Sequence, residues 1–248
     1  FLMLIALSPS ASAGVTITGT RVVFPASESE VTVRTNNRGQ SPVLVQVWVD
    51  DGSKTDDLNK MTVPFTLTPP VYRINPGKGQ SVRLIYNGMP LPTDRESVYW
   101  FNLLEIPALS EQLQDKDRLE LAFRTRIKIF YRPTGLTANS VANLSKLRWA
   151  RKGTGRSAGM TITNPTPYYF SFGSVKVNAG NSVYPLTTGM IAPFSDASFL
   201  PEGNKPFPAN PPSAAFAVLN DYGSALPWQL IYQPGQGLLQ QTPVYGDK

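Results

Sequence analysis

The chain has 248 residues, 23 lysines and arginines against 17 acidic residues (a formal net charge of +6), and neither cysteine nor histidine. The missing cysteine excludes disulfides and thiol chemistry. The missing histidine removes the commonest general base and metal ligand, so Ser-His-Asp and Cys-His catalysis are impossible. An apolar content of 41% suffices for packed cores, and 23 prolines with 19 glycines, scattered rather than clustered, punctuate many turns; both favour an all-β protein.

In chain order, Phe1–Leu7 is an unbroken apolar run and Ala11-Ser12-Ala13 an A-x-A site before Gly14. Residues 1–13 read as the remnant of a secretory signal, too short to span a bilayer. The expectation is a chain beginning near Gly14, outside the cytoplasm and not stably inserted in a membrane. Its basic balance suits an acidic partner or an anionic surface, and export argues against nucleic acid.

Strands are predicted over Val15–Phe24, Val31–Thr35, Val43–Val49, Phe65–Leu67, Ser81–Tyr86, Val98–Leu104 and Leu119–Tyr131. Turn signals separate them, among them Asn36-Asn37-Arg38-Gly39, Asp50-Asp51-Gly52, Asn75-Pro76-Gly77 and Asn87-Gly88. Seven strands at this spacing form an Ig-like sandwich pattern, with Trp48 as candidate core tryptophan. Arg132-Pro133-Thr134-Gly135 reads as a linker, dividing the chain into domains 14–135 and 136–248. Strands follow over Leu144–Trp149, Met160–Thr163, Tyr168–Val177, Ala214–Leu219 and Trp228–Tyr232. Lys205–Pro212, with four prolines, reads as an extended surface loop, and Ser110–Asp117 as a possible short helix.

Leu119–Tyr131 is long for a strand, whose usual length is ~5–6 residues. Leu119, Leu121, Phe123, Thr125, Ile127 and Ile129 share one face at period two. Glu120, Arg124, Arg126 and Lys128 share the other with Ala122 and Phe130. Two readings stand: a half-buried core strand with a solvated cationic face, or a strand that overhangs its sheet and adds itself to a partner by β-augmentation.

Several blocks resemble the periplasmic pilus-assembly chaperones of the PapD type. They are Thr20-Arg21-Val22-Val23-Phe24, Thr68-Pro69-Pro70, Asp94-Arg95-Glu96-Ser97 with Tyr99-Trp100-Phe101-Asn102, Glu105-Ile106-Pro107, Arg126 through Pro133, Asn164 through Tyr169, and Asn220-Asp221-Tyr222-Gly223. The resemblance spans nearly the whole chain after residue 13, and its weight lies in the order and spacing of the blocks. It implies two Ig-like β-sandwich domains arranged as a boomerang with a cleft between them. It implies a periplasmic chaperone for pilus or fimbrial subunits, which are delivered to an outer-membrane usher; donor-strand complementation of this kind is an established form of β-augmentation. By motif match, Arg21 and Lys128 are implied to anchor a subunit's C-terminal carboxylate. Leu119, Leu121 and Phe123 are implied as the donor strand, and Glu96, Arg132 and Asp221 as an interdomain charge network.

No glycine-rich phosphate loop or metal-ligand cluster is apparent, so neither cofactor nor metal is expected and the protein is read as non-enzymatic. Two rivals stand beside this reading. A secreted Ig-like adhesive or carbohydrate-binding module would expose loop aromatics. A paired-carboxylate hydrolase would need two acids converging in one pocket.

Overall fold

A computed structural model describes residues 14–53, 61–107, 122–203, 205–233 and 237–241. The expected signal remnant, the segment Ser110–Asp117 that could form a short helix, and the donor positions Leu119 and Leu121 lie outside the described residues. The chain forms two compact units.

The first unit is built on strands β1 (Val15–Ile17), β2 (Arg21–Pro25), β3 (Glu30–Asn37), β4 (Val43–Asp50), β5 (Phe65–Thr68), β6 (Val71–Ile74), β7 (Gly79–Tyr86), β8 (Ser97–Pro107) and β9 (Phe123–Arg132). They make a four-stranded sheet, β1-β3-β7-β5, and a five-stranded sheet, β2-β9-β8-β4-β6. The single strand expected over Val15–Phe24 is two strands in different sheets. Thr18-Gly19-Thr20 interrupts it, with Gly19 at φ +92° in the region open to glycine. The switch is what sets Arg21 beside β9. Val33, Val82 and Leu84 from one sheet and Val45, Val47, Phe101, Leu103, Ile127 and Ile129 from the other are buried. Phe24 closes one end against Phe65, ring centroids 5.2 Å apart.

Trp48 is not the core tryptophan. Alternation along β4 turns Val43, Val45, Val47 and Val49 inward and leaves Trp48 half-buried on the opposite face. Four β-branched side chains claim the interior, so the ring goes out. β6 carries no sequence signal that set it apart from the turn before it.

The second unit takes Pro25–Ser27, Leu91–Ser97 and Phe130–Lys248, so Pro25 of β2, Ser97 of β8 and the last three residues of β9 belong to it. Its strands are β10 (Arg148–Lys152), β11 (Gly159–Asn164), β12 (Phe170–Ala179), β13 (Ser182–Leu186), β14 (Met190–Ile191), β15 (Ser195–Phe199), β16 (Ser213–Leu219), β17 (Ala225–Gln233) and β18 (Gly237–Gln241). They run β13-β12-β16-β17-β18-β10-β11-β15, with β14 added to β12. Trp149, Phe172 and Phe216 stack at its centre, Trp149 lying 4.8 Å from Phe216 and 5.7 Å from Phe172. The strand expected at Leu144–Trp149 is instead a 3-10 turn, Val141–Lys146, with β10 beginning at Arg148. Leu144 and Leu147, three apart, are both buried, and a three-residue turn stacks such positions on one side. Lys205–Pro212 is not merely a surface loop: Phe207 is buried in the core, edge-on to Tyr184 at 6.1 Å.

Candidate functional site

β9 changes character along its length. Ile127 and Ile129 are buried, as alternation requires. Phe123 and Thr125 share their face but are exposed, Phe123 at 62%. β2 is the strand beside β9 on that side, and it has five residues against ten. The Ala26 N–H bonds the Arg132 carbonyl at 2.8 Å, which sets β2 against the second half of β9. Among the described residues the first half therefore has a strand on one side only, offering backbone groups and a large apolar ring at an edge, the arrangement that invites an added strand.

Arg21 begins β2 and Lys128 lies in β9, so neighbouring strands bring the two cations together. Lys128 is half-buried. Burial, and secondarily the Arg21 charge, hold its ammonium below the ordinary lysine pKa. A carboxylate placed beside the two cations would be attracted by both. Arg21 can fork to both oxygens of such a group, and Lys128 can add a point charge.

On the face that Lys128 shares, opposite Phe123 and Ile127, lies a cluster that sequence reasoning missed. Asp50, 2% exposed, ends β4. Its Oδ2 accepts Asn102 Nδ2 at 2.7 Å and Arg124 Nη2 at 3.3 Å. Its Oδ1 accepts the Gly52 amide at 2.8 Å and Arg126 Nη2. Arg124 also donates to Asn102 Oδ1 from Nε at 3.0 Å and from Nη2 at 2.8 Å. Its guanidinium stands 5.0 Å over the Trp48 ring, and that of Arg126 stands 4.6 Å over Trp100. The signal was present as Arg124 and Arg126 at period two, but which strands they cross is a matter of sheet order.

The remaining predicted residues meet within the second unit. Arg132 Nε donates to Glu96 Oε1 at 2.8 Å. Its two terminal nitrogens fork to Asp221, at 2.8 Å to Oδ2 and 3.0 Å to Oδ1. The Tyr169 amide donates to Glu96 Oε2 at 2.8 Å. Asn220 shapes the loop that carries Asp221, its Oδ1 accepting the Tyr222 and Ser224 amides at 3.0 and 2.9 Å. Burial pushes the Glu96 carboxyl up, against the Tyr169 amide and the Arg132 charge. For Arg132 burial acts downward, but its bonds to Asp221 and Glu96 outweigh it and the pKa is raised.

Among the described residues, no group of three or more His, Cys, Asp or Glu side chains is placed to hold a metal ion. No helix among them is long and apolar enough to cross a membrane.

Comparison with known proteins matches both halves of the chain. Residues 14–137 match the family described as pili and flagellar-assembly chaperone, PapD N-terminal domain. Residues 142–229 match the pili assembly chaperone PapD, C-terminal domain. The chain is 43% identical over 229 residues to the probable fimbrial chaperone YadV of Escherichia coli K12, covering 91% of this chain and 93% of that one. It is 38% identical over 231 residues to the chaperone protein FimB/FhaD of Bordetella pertussis, covering 92% and 91%. The crystal structure of the YadV chaperone superposes with a TM-score of 0.75 at 42% identity, over 88% of this chain and 98% of that one. A chain from the complex of Salmonella enterica SafA pilin with the SafB chaperone gives 0.73 at 25% identity, over 88% and 96%.

Proposed function

The chain belongs to the PapD family of pili-assembly chaperones, and on that premise we propose that it captures pilus or fimbrial subunits in the periplasm, completes their fold by donor-strand complementation, and delivers them to an outer-membrane usher. It acts by binding, without catalytic turnover or cofactor. The observation that carries this reading is the open first half of β9, with Phe123 exposed, continuing into Lys128 beside Arg21.

The physical logic has two parts. Strand addition satisfies the ladder hydrogen bonds of both partners, and apolar side chains of the donor segment fill the subunit's groove. Each side chain so buried contributes roughly 1.5–3 kcal/mol. Leu119 and Leu121, which precede Phe123 in the sequence, are assigned to the same donor segment. The Arg21–Lys128 pair receives the subunit's terminal carboxylate and sets the register of the added strand, at roughly 1.5–3 kcal/mol for each charge-assisted bond. Glu96, Arg132 and Asp221 are assigned the brace at the end of β9, holding the linker to the loop of Asp221.

Periplasmic co-expression with candidate fimbrial subunits tests this reading, with a one-to-one complex as the expected product. Arg21→Ala and Lys128→Ala chaperones are expected to fold but to bring down no subunit. Normal co-purification by either variant removes the anchor assignment.

A further inference from the structure

We propose that Asp50, Asn102, Trp48 and Trp100 are positioning residues for the donor edge, holding the first half of β9 extended through Arg124 and Arg126. The proposal rests on the donor-strand reading of β9 and goes beyond it, because none of these residues is among the anchor or donor residues assigned above.

Phe123 through Arg126 is the part of β9 most in need of restraint. Its own-face side chains are exposed, and β2 reaches only the second half of the strand. A segment exposed along one edge and one face frays readily, and a frayed donor loses ordering entropy when it binds. The opposite face supplies the restraint. Trp48 sits directly across from Asn102, and Asp50 across from Trp100, in the β4–β8 register. This sets two indole rings, a buried amide and a buried carboxylate as a grid on adjacent strands. Arg124 and Arg126, two residues apart, lie on that grid, each with its guanidinium over one ring and a bond to Asp50. The carboxylate accepts from four groups on three segments: Gly52 after β4, Asn102 on β8, and Arg124 and Arg126 on β9. That number of fixed donors converts a flexible ion pair into a positional constraint. A sheet that needed only to be covered could use any apolar side chains here. The fork of Arg124 to both Asn102 and Asp50 instead fixes where the strand lies along β8.

The test uses the full chain. In an Arg124→Gln/Arg126→Gln variant, amide exchange over Phe123–Arg126 is expected to rise about tenfold, with Val43–Asp50 and Ser97–Ile106 unchanged. A fimbrial subunit refolding from denaturant in the presence of the variant is expected to be captured about tenfold more slowly. Arg124→Lys/Arg126→Lys keeps the charge but not the forks, and is expected to leave exchange fast. Asp50→Asn is the second variant, with the same local exchange signature expected. Unchanged exchange at Phe123–Arg126 overturns the proposal, as does faster exchange with an unchanged capture rate. A uniform rise across all three strands overturns it too, since the cluster would then only stabilise the fold. If the wild-type chain captures no subunit, the donor-strand reading fails, while the exchange arm still reports on the restraint.

Discussion

At Lys128 binding and stability pull in opposite directions. Its folded-state pKa lies below the ordinary value of 10.5, with burial the larger cause and the Arg21 charge the second. A base depressed in this way contributes stability above its unfolded pKa and loses it as pH falls through the folded value. At neutral pH the ionised side chain therefore opposes folding. Lys128→Met is expected to raise the thermal midpoint of the free chain while abolishing subunit capture, measured by calorimetry and co-purification; a lowered midpoint counts against this account. The same shift sets a pH window. A bound carboxylate favours the charged ammonium, so the complex has the higher Lys128 pKa and binding takes up a proton. Affinity is then expected to fall as pH rises through the free-chain value, below 10.5, by at most about tenfold per pH unit. Titration calorimetry across that range checks it, and Lys128→Ala is expected to remove the dependence along with most of the binding.

β9 is one strand with two kinds of residue on one face. Ile129 is fully buried while Phe123 is 62% exposed, although both sit at the same phase of the alternation. Ile129→Ala is expected to destabilise the chain by about 2–5 kcal/mol through the cavity it leaves. Phe123→Glu is expected to leave stability within about 0.5 kcal/mol, yet to weaken subunit binding roughly ten- to a hundredfold from the lost burial. Denaturant melts and a binding isotherm for each variant separate the two. Equal stability losses would place Phe123 in its own core and remove it from the donor role.

At the scale of the molecule, the second unit gathers segments far apart in sequence around one arginine. Glu96, 3% exposed, has Arg132 as its cationic partner, and Asp221 takes the other side of the same guanidinium. Arg132→Ala would leave a buried carboxylate without its counter-charge, expected to cost about 3–5 kcal/mol. Replacing both partners, as Glu96→Gln with Arg132→Met, is expected to recover part of that loss, because a buried pair is worth less than the penalty for breaking it. Chemical denaturation of the single and double variants decides, and strict additivity would show the two groups to be independent.

Composition, turn residues and the period-two alternation of short apolar runs were enough to establish an all-β chain, because these are local properties of the strands. Family blocks such as Arg126 through Pro133 and Asn220-Asp221-Tyr222-Gly223 named the residues of the candidate site, since motif identity is carried by the chain itself. What stayed hidden is what depends on neighbours across a sheet. The break at Gly19, which moves Arg21 into the sheet of β9, looked like one continuous strand. Trp48 looked like a core residue until the valines of β4 took the interior. The 3-10 turn at Val141–Lys146 looked like a strand because its leucines are apolar in either state. Alternation in β9 correctly divided its residues into two faces, but it could not say where along the strand the opposing sheet stops covering them. Sheet order and strand length decided that, and they turned one uniform pattern into a buried core segment and an exposed edge.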